Sequence, residues 1–382
     1  MLLFLLSYLA IYGGAHAYLL SRLVRAFHLL APCPALFLLV SIFLVLAPIL
    51  VRVLERFGMD KPARLVAYLG YLWMGFFFLF LSVTLALDLL HGVLALAGWL
   101  WQSELVLTER WLLSLSMSVA LAASLYGIFE ARSIRVERVT LPSPKFPKGA
   151  AGVRIVLISD VHLGIMVGKA GLKRILDTVA ALKPDLLLCT GDLVDGQMDG
   201  LRGRDLELGT LHAPLGKFAV LGNHEVFAGL AASVAFTERS GFRLLRGEAV
   251  VVGDYLTLAG VDDPSAPLSG GEKAVGEREA AELALLATLP RERFTVLLKH
   301  RPKLELESRG LFDLQLSGHV HKGQIFPFNL VTHLVYPAKM GLSGQGTGSL
   351  LYVSRGTGTW GPPLRVLAPP EVTVIDLVSS LP

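Results

Sequence analysis

The chain has 382 residues, 53% of them hydrophobic and only 17% charged, with a formal net charge of +4. That is too apolar for an ordinary soluble protein or a disordered chain, and too long for one small domain. The charge is also uneven, since residues 1–130 carry 7 of the 35 Lys and Arg and 6 of the 31 Asp and Glu. This step in composition predicts a membrane-like region, 1–130, followed by a soluble region large enough to bury its own core.

Four stretches of the first region lack acidic and basic residues: Leu2–Leu20, Leu29–Val51, Leu65–Leu87 and Trp111–Phe129. A bilayer crossing takes about 20 such residues, so an all-α transmembrane region of about four helices is expected. The first stretch has no basic leader and is followed at once by further apolar spans, which marks a retained helix and not a cleaved signal. Leu89–Trp101 is apolar but short and carries His91 and Gly92, as suits a helix extension or an interfacial segment. Gly13, Gly14, Gly70, Gly75, Ser114, Ser116 and Ser118 allow close helix packing. With no carboxylate, Lys or Arg inside the four stretches, an ion or proton pathway is disfavoured, and His16 reads as a hydrogen-bonded structural residue.

Orientation follows from the flanking cations. Arg52, Arg56, Lys61, Arg64, Arg132, Arg135, Arg138, Lys145 and Lys148 lie on one side, against Arg22, Arg25 and Arg110 on the other. That bias predicts a multi-pass protein of the inner membrane with its soluble region in the cytoplasm. Residues 131–152 read as a basic, Pro-rich linker, with LPSPKFPKGAAG (Leu141–Gly152) as an extended tether, and residues 153–382 as the soluble domain. The basic residues gather beside hydrophobic segments without an aromatic–basic stripe, so nucleic acid is not an expected partner. Cys33 and Cys189 sit in apolar runs and read as inert core thiols.

From Val153 onward, short β-rich runs alternate with helical ones, as in an α/β core: VRIVLIS, a helix near Gly171–Leu182, LLLCT, KFAVLG, then Leu256–Gly260, Phe294–Lys299, Asp313–Ser317, Leu350–Ser354 and Glu371–Leu377. Polar residues cluster at the strand ends, where α/β sheets place ligands. In order they are Asp160 and His162 (SDVH), Asp192 and Asp195 (GDLVD), Asn223 and His224 (GNHE), His300 (KH), and His319 and His321 (GHVH). An Asp and a His one residue apart at a strand exit can face the same metal, and the Gly before Asp192 and before Asn223 permits a sharp turn. Carboxylate, imidazole and amide oxygen together suit a pair of divalent Mn, Fe or Zn ions better than calcium.

This ordered pattern resembles the calcineurin-like metallophosphoesterase family, and the SRGTGTWGPPLR tail (Ser354–Arg365) resembles its membrane-anchored, YkuE-like bacterial branch. The resemblance implies a four-layer α/β/β/α sandwich. It also implies one metal held by Asp160, His162, Asp192 and His321 and a second by Asp192, Asn223, His300 and His319, with Asp192 bridging. Two cations about 3.5 to 4 Å apart can clamp and polarise a phosphate, so the implied set is chemically coherent. His224 would donate a proton to the departing oxygen or stabilise transition-state charge, and Asp195 would orient its neighbours by hydrogen bonds. Where the branch commonly has Gly-Gly-Gln after the last histidine, Lys322 precedes Gly323 and Gln324 here. Lys322 is either a solvated surface residue or a contact to substrate phosphate, and Arg355 stands in the same position. His212 and His333 match no motif and read as surface or structural residues.

The expected function is a membrane-anchored, dinuclear-metal phosphoesterase that hydrolyses a phosphomonoester, phosphodiester or pyrophosphate bond, with lipid-linked substrates among the candidates. A pyrophosphatase acting on a nucleotide-linked lipid precursor is the alternative within the class. A catalytically silent membrane sensor or scaffold is the alternative outside it, although such a protein should have lost ligands.

Overall fold

The computed structural model describes residues 2–27, 34–101, 108–146, 149, 152–196, 201–267, 275–346 and 348–380. Cys33, Lys148, the start of the Leu29–Val51 stretch and most of 147–151 lie outside the described residues. The chain divides into a helical unit, Met1–Phe129 with Gly361–Val366, and an α/β unit, Glu130–Trp360 with Leu367–Pro382.

In the helical unit, α1 (Leu2–Tyr8), a π-helical turn (Leu9–Gly13) and α2 (Gly14–Phe27) follow one another without a gap, and then come α3 (Pro34–Arg56), α4 (Asp60–Trp101) and α5 (Glu109–Glu130). Among the described residues, α3, α4 and α5 are long and apolar enough to cross a membrane. Leu89–Trp101 is the final part of the 42-residue α4, the helix-extension alternative; Gly92 costs a helix only about 1 kcal/mol and does not end it. Small residues fix two close approaches: a Cβ on Gly70 would lie 2.5 Å from that of Ala47, and one on Gly75 would lie 2.7 Å from Leu364. A Cβ on Gly13 or Gly14, by contrast, would meet no atom of the described residues within 4 Å; these glycines sit where the π-turn passes into α2. Both His16 nitrogens are engaged, Nδ1 with the Tyr12 carbonyl and Nε2 accepting from Trp73 Nε1, each at 2.8 Å. Arg22 ties α2 to α4 and α5 through Asp88 (2.5 Å) and Glu109 (2.7 Å).

The α/β unit contains two six-stranded sheets. The first runs β1 (Arg135–Ser143), β12 (Glu371–Ser379), β2 (Val153–Ile158), β3 (Leu186–Cys189), β4 (Lys217–Ala219), β5 (Arg243–Leu244). The second runs β10 (Gly341–Gly344), β11 (Leu350–Val353), β9 (Leu314–Ser317), β8 (Phe294–Leu298), β7 (Leu256–Gly260), β6 (Glu248–Val252). The inner faces meet in one apolar cluster, where Ile155, Leu157, Leu186 and Leu188 of the first sheet pack with Leu258, Val296, Leu298 and Leu316 of the second. On the outer face of the first sheet, α6 (Lys169–Leu182) inserts Leu172, Ile175, Val179 and Leu182. Across the molecule, α10 (Val275–Ala287) contributes Leu286 against Ala259 and Leu297. These are the four α/β/β/α layers.

The stretch 135–143, expected as part of a linker, is β1, paired in parallel with β12 over nine residues from Arg135↔Glu371 to Ser143↔Ser379. Pro142, which argued against a strand, is tolerated because β1 is an edge strand with one unpaired side.

Candidate metal centre

The polar residues singled out in the sequence stand just beyond the C-terminal ends of β2, β3, β4, β8 and β9, so the parallel strands deliver them to one end of the sandwich. Their backbone is unusual. Asp160, His162, Asp192, His319 and His321 have φ between 47° and 72°, five of the nine non-glycine residues with positive φ among those described. Such conformations cost free energy for residues with a Cβ and persist only where the surroundings impose them. Two glycines make room: a Cβ at Gly222 would lie 2.2 Å from Asp192 Oδ1, and one at Gly318 would lie 2.2 Å from Asp160 Oδ2.

Three groups of donors converge within 4.8 Å: Asp160, His162 and His321; His162, Asp192 and His224; and Asp192, His300 and His319. His162 Nε2 faces His321 Nε2 at 3.0 Å, and His300 Nε2 lies 3.2 Å from each of Asn223 Oδ1, Asp192 Oδ2 and His319 Nδ1. His300 Nδ1 donates to the Thr190 carbonyl at 2.7 Å, so its Nε2 in the neutral ring presents a lone pair. Lone pairs of imidazole, carboxylate and amide thus point at common centres, an arrangement that only cations or protons stabilise. His162 Nδ1 is buried without a hydrogen-bond partner.

The electrostatics agree. Burial pushes the Asp160 carboxyl up to about 6, and burial also lowers the His162 and His319 imidazoles to about 4 and about 3, the neutral form that binds metal. Burial opposes ionisation of Asp192, but His300 overrides it and holds the carboxyl well below the ordinary range. The same pairing raises His300 to about 10 against its own desolvation. Among the described residues, the ion-pair partners of Asp160 and Asp192 are histidines, not Lys or Arg. Buried carboxyls beside the neutral imidazoles of His162 and His319 fit divalent metals of the Mn, Fe or Zn type.

His224 Nδ1 donates to Asp195 Oδ1 at 2.8 Å, and its backbone N–H donates to Asp192 Oδ1 at 2.8 Å. Burial disfavours its charge, yet Asp195, Asp192 and Glu225 outweigh burial and raise its pKa. Trp360 meets the His224 ring edge-on at 5.9 Å. One contributor stands outside the ligand-type residues of these sequence motifs. Glu225, the last residue of GNHE, is buried and accepts backbone N–H groups from Asp192 (3.0 Å), Leu193 (2.7 Å), Val194 (3.2 Å) and Gly222 (2.7 Å). It joins the Asp192 loop to α8 (Asn223–Phe227), and its place three residues after a helix N-cap was the available signal.

The remaining candidates lie apart from this set. Lys322 is partly exposed with φ 52° in the turn after His321. Arg355 is engaged by Glu137, and its Nε lies 2.7 Å from Glu371, which joins the first residues of β12 to β1. His212 and His333 are exposed, and Cys189 is buried in β3.

Comparison with known proteins agrees with this architecture. The model of the "Calcineurin-like phosphoesterase" family matches residues 153–323. An uncharacterized metallophosphoesterase of Aquifex aeolicus is 38% identical over 68% of this chain and 98% of its own length. A zebrafish (Danio rerio) "Transmembrane protein with metallophosphoesterase domain" is 33% identical over 69% of this chain, which spans 62% of that protein. The metallophosphoesterase YkuE of Bacillus subtilis is 33% identical over 66% of this chain and 88% of its own length. With an α/β/β/α sandwich, membrane-type helices and a converging His/Asp cluster, the chain belongs to the calcineurin-like metallophosphoesterases, a family of metal-dependent phosphate ester hydrolases.

Proposed function

We propose that this chain is a membrane-anchored, dinuclear-metal hydrolase of phosphomonoester, phosphodiester or pyrophosphate bonds whose substrates include lipid-linked phosphates. The observation that carries the reading is the convergence of Asp160, His162, Asp192, Asn223, His300, His319 and His321 on a buried, cation-demanding centre. One ion would be held by Asp160, His162, Asp192 and His321, and another by Asp192, Asn223, His300 and His319. When bound, the two ions supply charge neutralisation at the phosphoryl group and activation of the attacking water.

The chain's own residues supply the rest. Thr190 fixes the His300 tautomer through Nδ1, and Asp195 does the same for His224, leaving His224 Nε2 to carry a proton to the departing oxygen. Lys322, partly exposed, serves as a contact to a substrate phosphate from the turn after His321. With Arg355 committed to two carboxylates, its role is to hold the β1–β12 edge.

Full-length protein in detergent is expected to hold about two divalent ions per chain and to hydrolyse p-nitrophenyl phosphate or its bis-ester. Absence of both metal and turnover would leave the silent scaffold as the better reading.

The helices through residue 130 form the anchor, and the excess of Lys and Arg next to α3, α4 and α5 supports a cytoplasmic catalytic unit at the inner membrane. A reporter fused after Pro382 is expected to fluoresce as a green fluorescent protein fusion and to be inactive as an alkaline phosphatase fusion. The reverse pattern refutes the sidedness.

A further inference from the structure

The segment after His321 carries an apolar surface that the hydrolytic site does not use. Helix α11 (Phe328–Val335, FNLVTHLV) has no buried residue. Leu330, Leu334 and Val335 are 61%, 84% and 66% exposed, and Val331 is exposed beside them. Soluble surfaces rarely gather so many large apolar side chains on one helix, and such patches mark interaction sites.

Three observations identify what covers it. First, the charge fits an anionic surface: no Asp or Glu occurs between Asp313 and Glu371, whereas Lys322 and Lys339 flank the helix. A short amphipathic helix of this kind, flanked by cations, suits the interface of a membrane with acidic head groups. Second, the same chain carries helices long and apolar enough to span a bilayer, so that surface is always available to the α/β unit. Third, the patch adjoins the metal ligands. A Cβ on Gly323 would lie 2.3 Å from the Asn329 nitrogen, which packs the turn of His321 against the start of α11. At the other end, Tyr336 sets its ring edge-on to His319 at 5.2 Å. The exposed Trp360, held by two hydrogen bonds to Gln324, extends the apolar rim to His224.

We infer that α11 is an interfacial helix that inserts its apolar face into an anionic bilayer and presents the metal centre to phosphate groups at head-group level. This deepens the hydrolase reading and rests on it for the substrate class, but the docking itself is measured without turnover. With Cys33 replaced by Ser and Cys189 buried, Leu334→Cys in the full chain is labelled with an environment-sensitive fluorophore and reconstituted in phosphatidylcholine vesicles with or without phosphatidylglycerol. The label should shift to the blue and be quenched by spin-labelled lipid, more strongly with phosphatidylglycerol, while a label at Glu238→Cys on α9 (Leu230–Arg239) should do neither. An unquenched label at position 334 overturns the proposal. So does a blue shift that grows with protein density and ignores lipid quenchers, since a second copy then covers the helix.

The paired substitution Leu330→Glu/Leu334→Glu supplies the functional arm. It should lower hydrolysis of phosphatidic acid in those vesicles by about tenfold or more, with p-nitrophenyl phosphate turnover unchanged. Equal loss on both substrates would show that α11 supports the site itself and would overturn the docking role. If the unsubstituted chain turns over neither substrate, the hydrolase reading fails, and lipid quenching alone decides whether α11 docks.

Discussion

Replacing Asp192 with Asn is expected to remove both metals and to abolish turnover while leaving the fold intact. Asp192 is the carboxylate shared by two of the three donor groups, with His162 and His224 on one side and His300 and His319 on the other. Its Oδ1 also accepts the backbone N–H of His224, a bond that the carboxamide oxygen of Asn can keep. The substitution therefore deletes a buried negative charge without opening a cavity or stranding that amide. Loss of a group that merely supports a metal ligand typically costs 10–100-fold in affinity, so loss of one that touches both ions should exceed that at each position. Metal analysis of the purified full-length variant, with circular dichroism to confirm folding, decides the matter. Full occupancy would sink the bridging assignment. Loss of one ion alone would move Asp192 into a single coordination sphere.

The converging donor set was legible in the sequence because each residue stands in a short local motif at a strand exit, and the short apolar runs before them are bounded by turn residues. VRIVLIS, LLLCT and KFAVLG became β2, β3 and β4, and Asp160, Asp192 and Asn223 follow them. Long-range pairing was harder to read. Strand β1 looked like a tether because its sequence holds Pro142 and basic residues, and only its pairing with β12, some 236 positions later at Arg135↔Glu371, makes it part of a sheet. The sequence offers Arg355 as a phosphate contact, but two carboxylates from distant strands engage its guanidinium. Glu225 is hidden in the sequence for a different reason: its partners are backbone amides, which no side-chain motif advertises. Likewise Gly361–Val366 clusters with helices that precede it by more than 200 residues, and nothing in its composition marks that partner.

Replacing His224 with Ala is expected to separate proton transfer from metal binding. The residue lies in the donor group with His162 and Asp192, so geometry alone would allow it to be a ligand. Its Nδ1, however, is taken by a carboxylate, Asp195, at 2.8 Å, and Asp195, Asp192 and Glu225 raise its pKa; His300, also raised, differs in setting Nε2 3.2 Å from each of Asn223, Asp192 and His319. His162 and His319 are held in the opposite state, with imidazoles at about 4 and about 3. His162 and His319 are thus neutral imidazoles that suit metals, His300 Nε2 sits among Asp192, Asn223 and His319 as a ligand would, and His224 is the ring whose pKa is raised by a carboxylate on its own Nδ1, as suits an acid. The variant should keep about two metals and lose roughly 10²- to 10⁴-fold in kcat, the scale of general acid–base help. The loss should shrink with a leaving group such as p-nitrophenolate, which departs without a proton, and grow with an alkyl phosphate. A uniform loss across leaving groups would assign His224 to transition-state charge and not to proton donation. Loss of an ion would mean that His224 and one of the proposed ligands have exchanged roles.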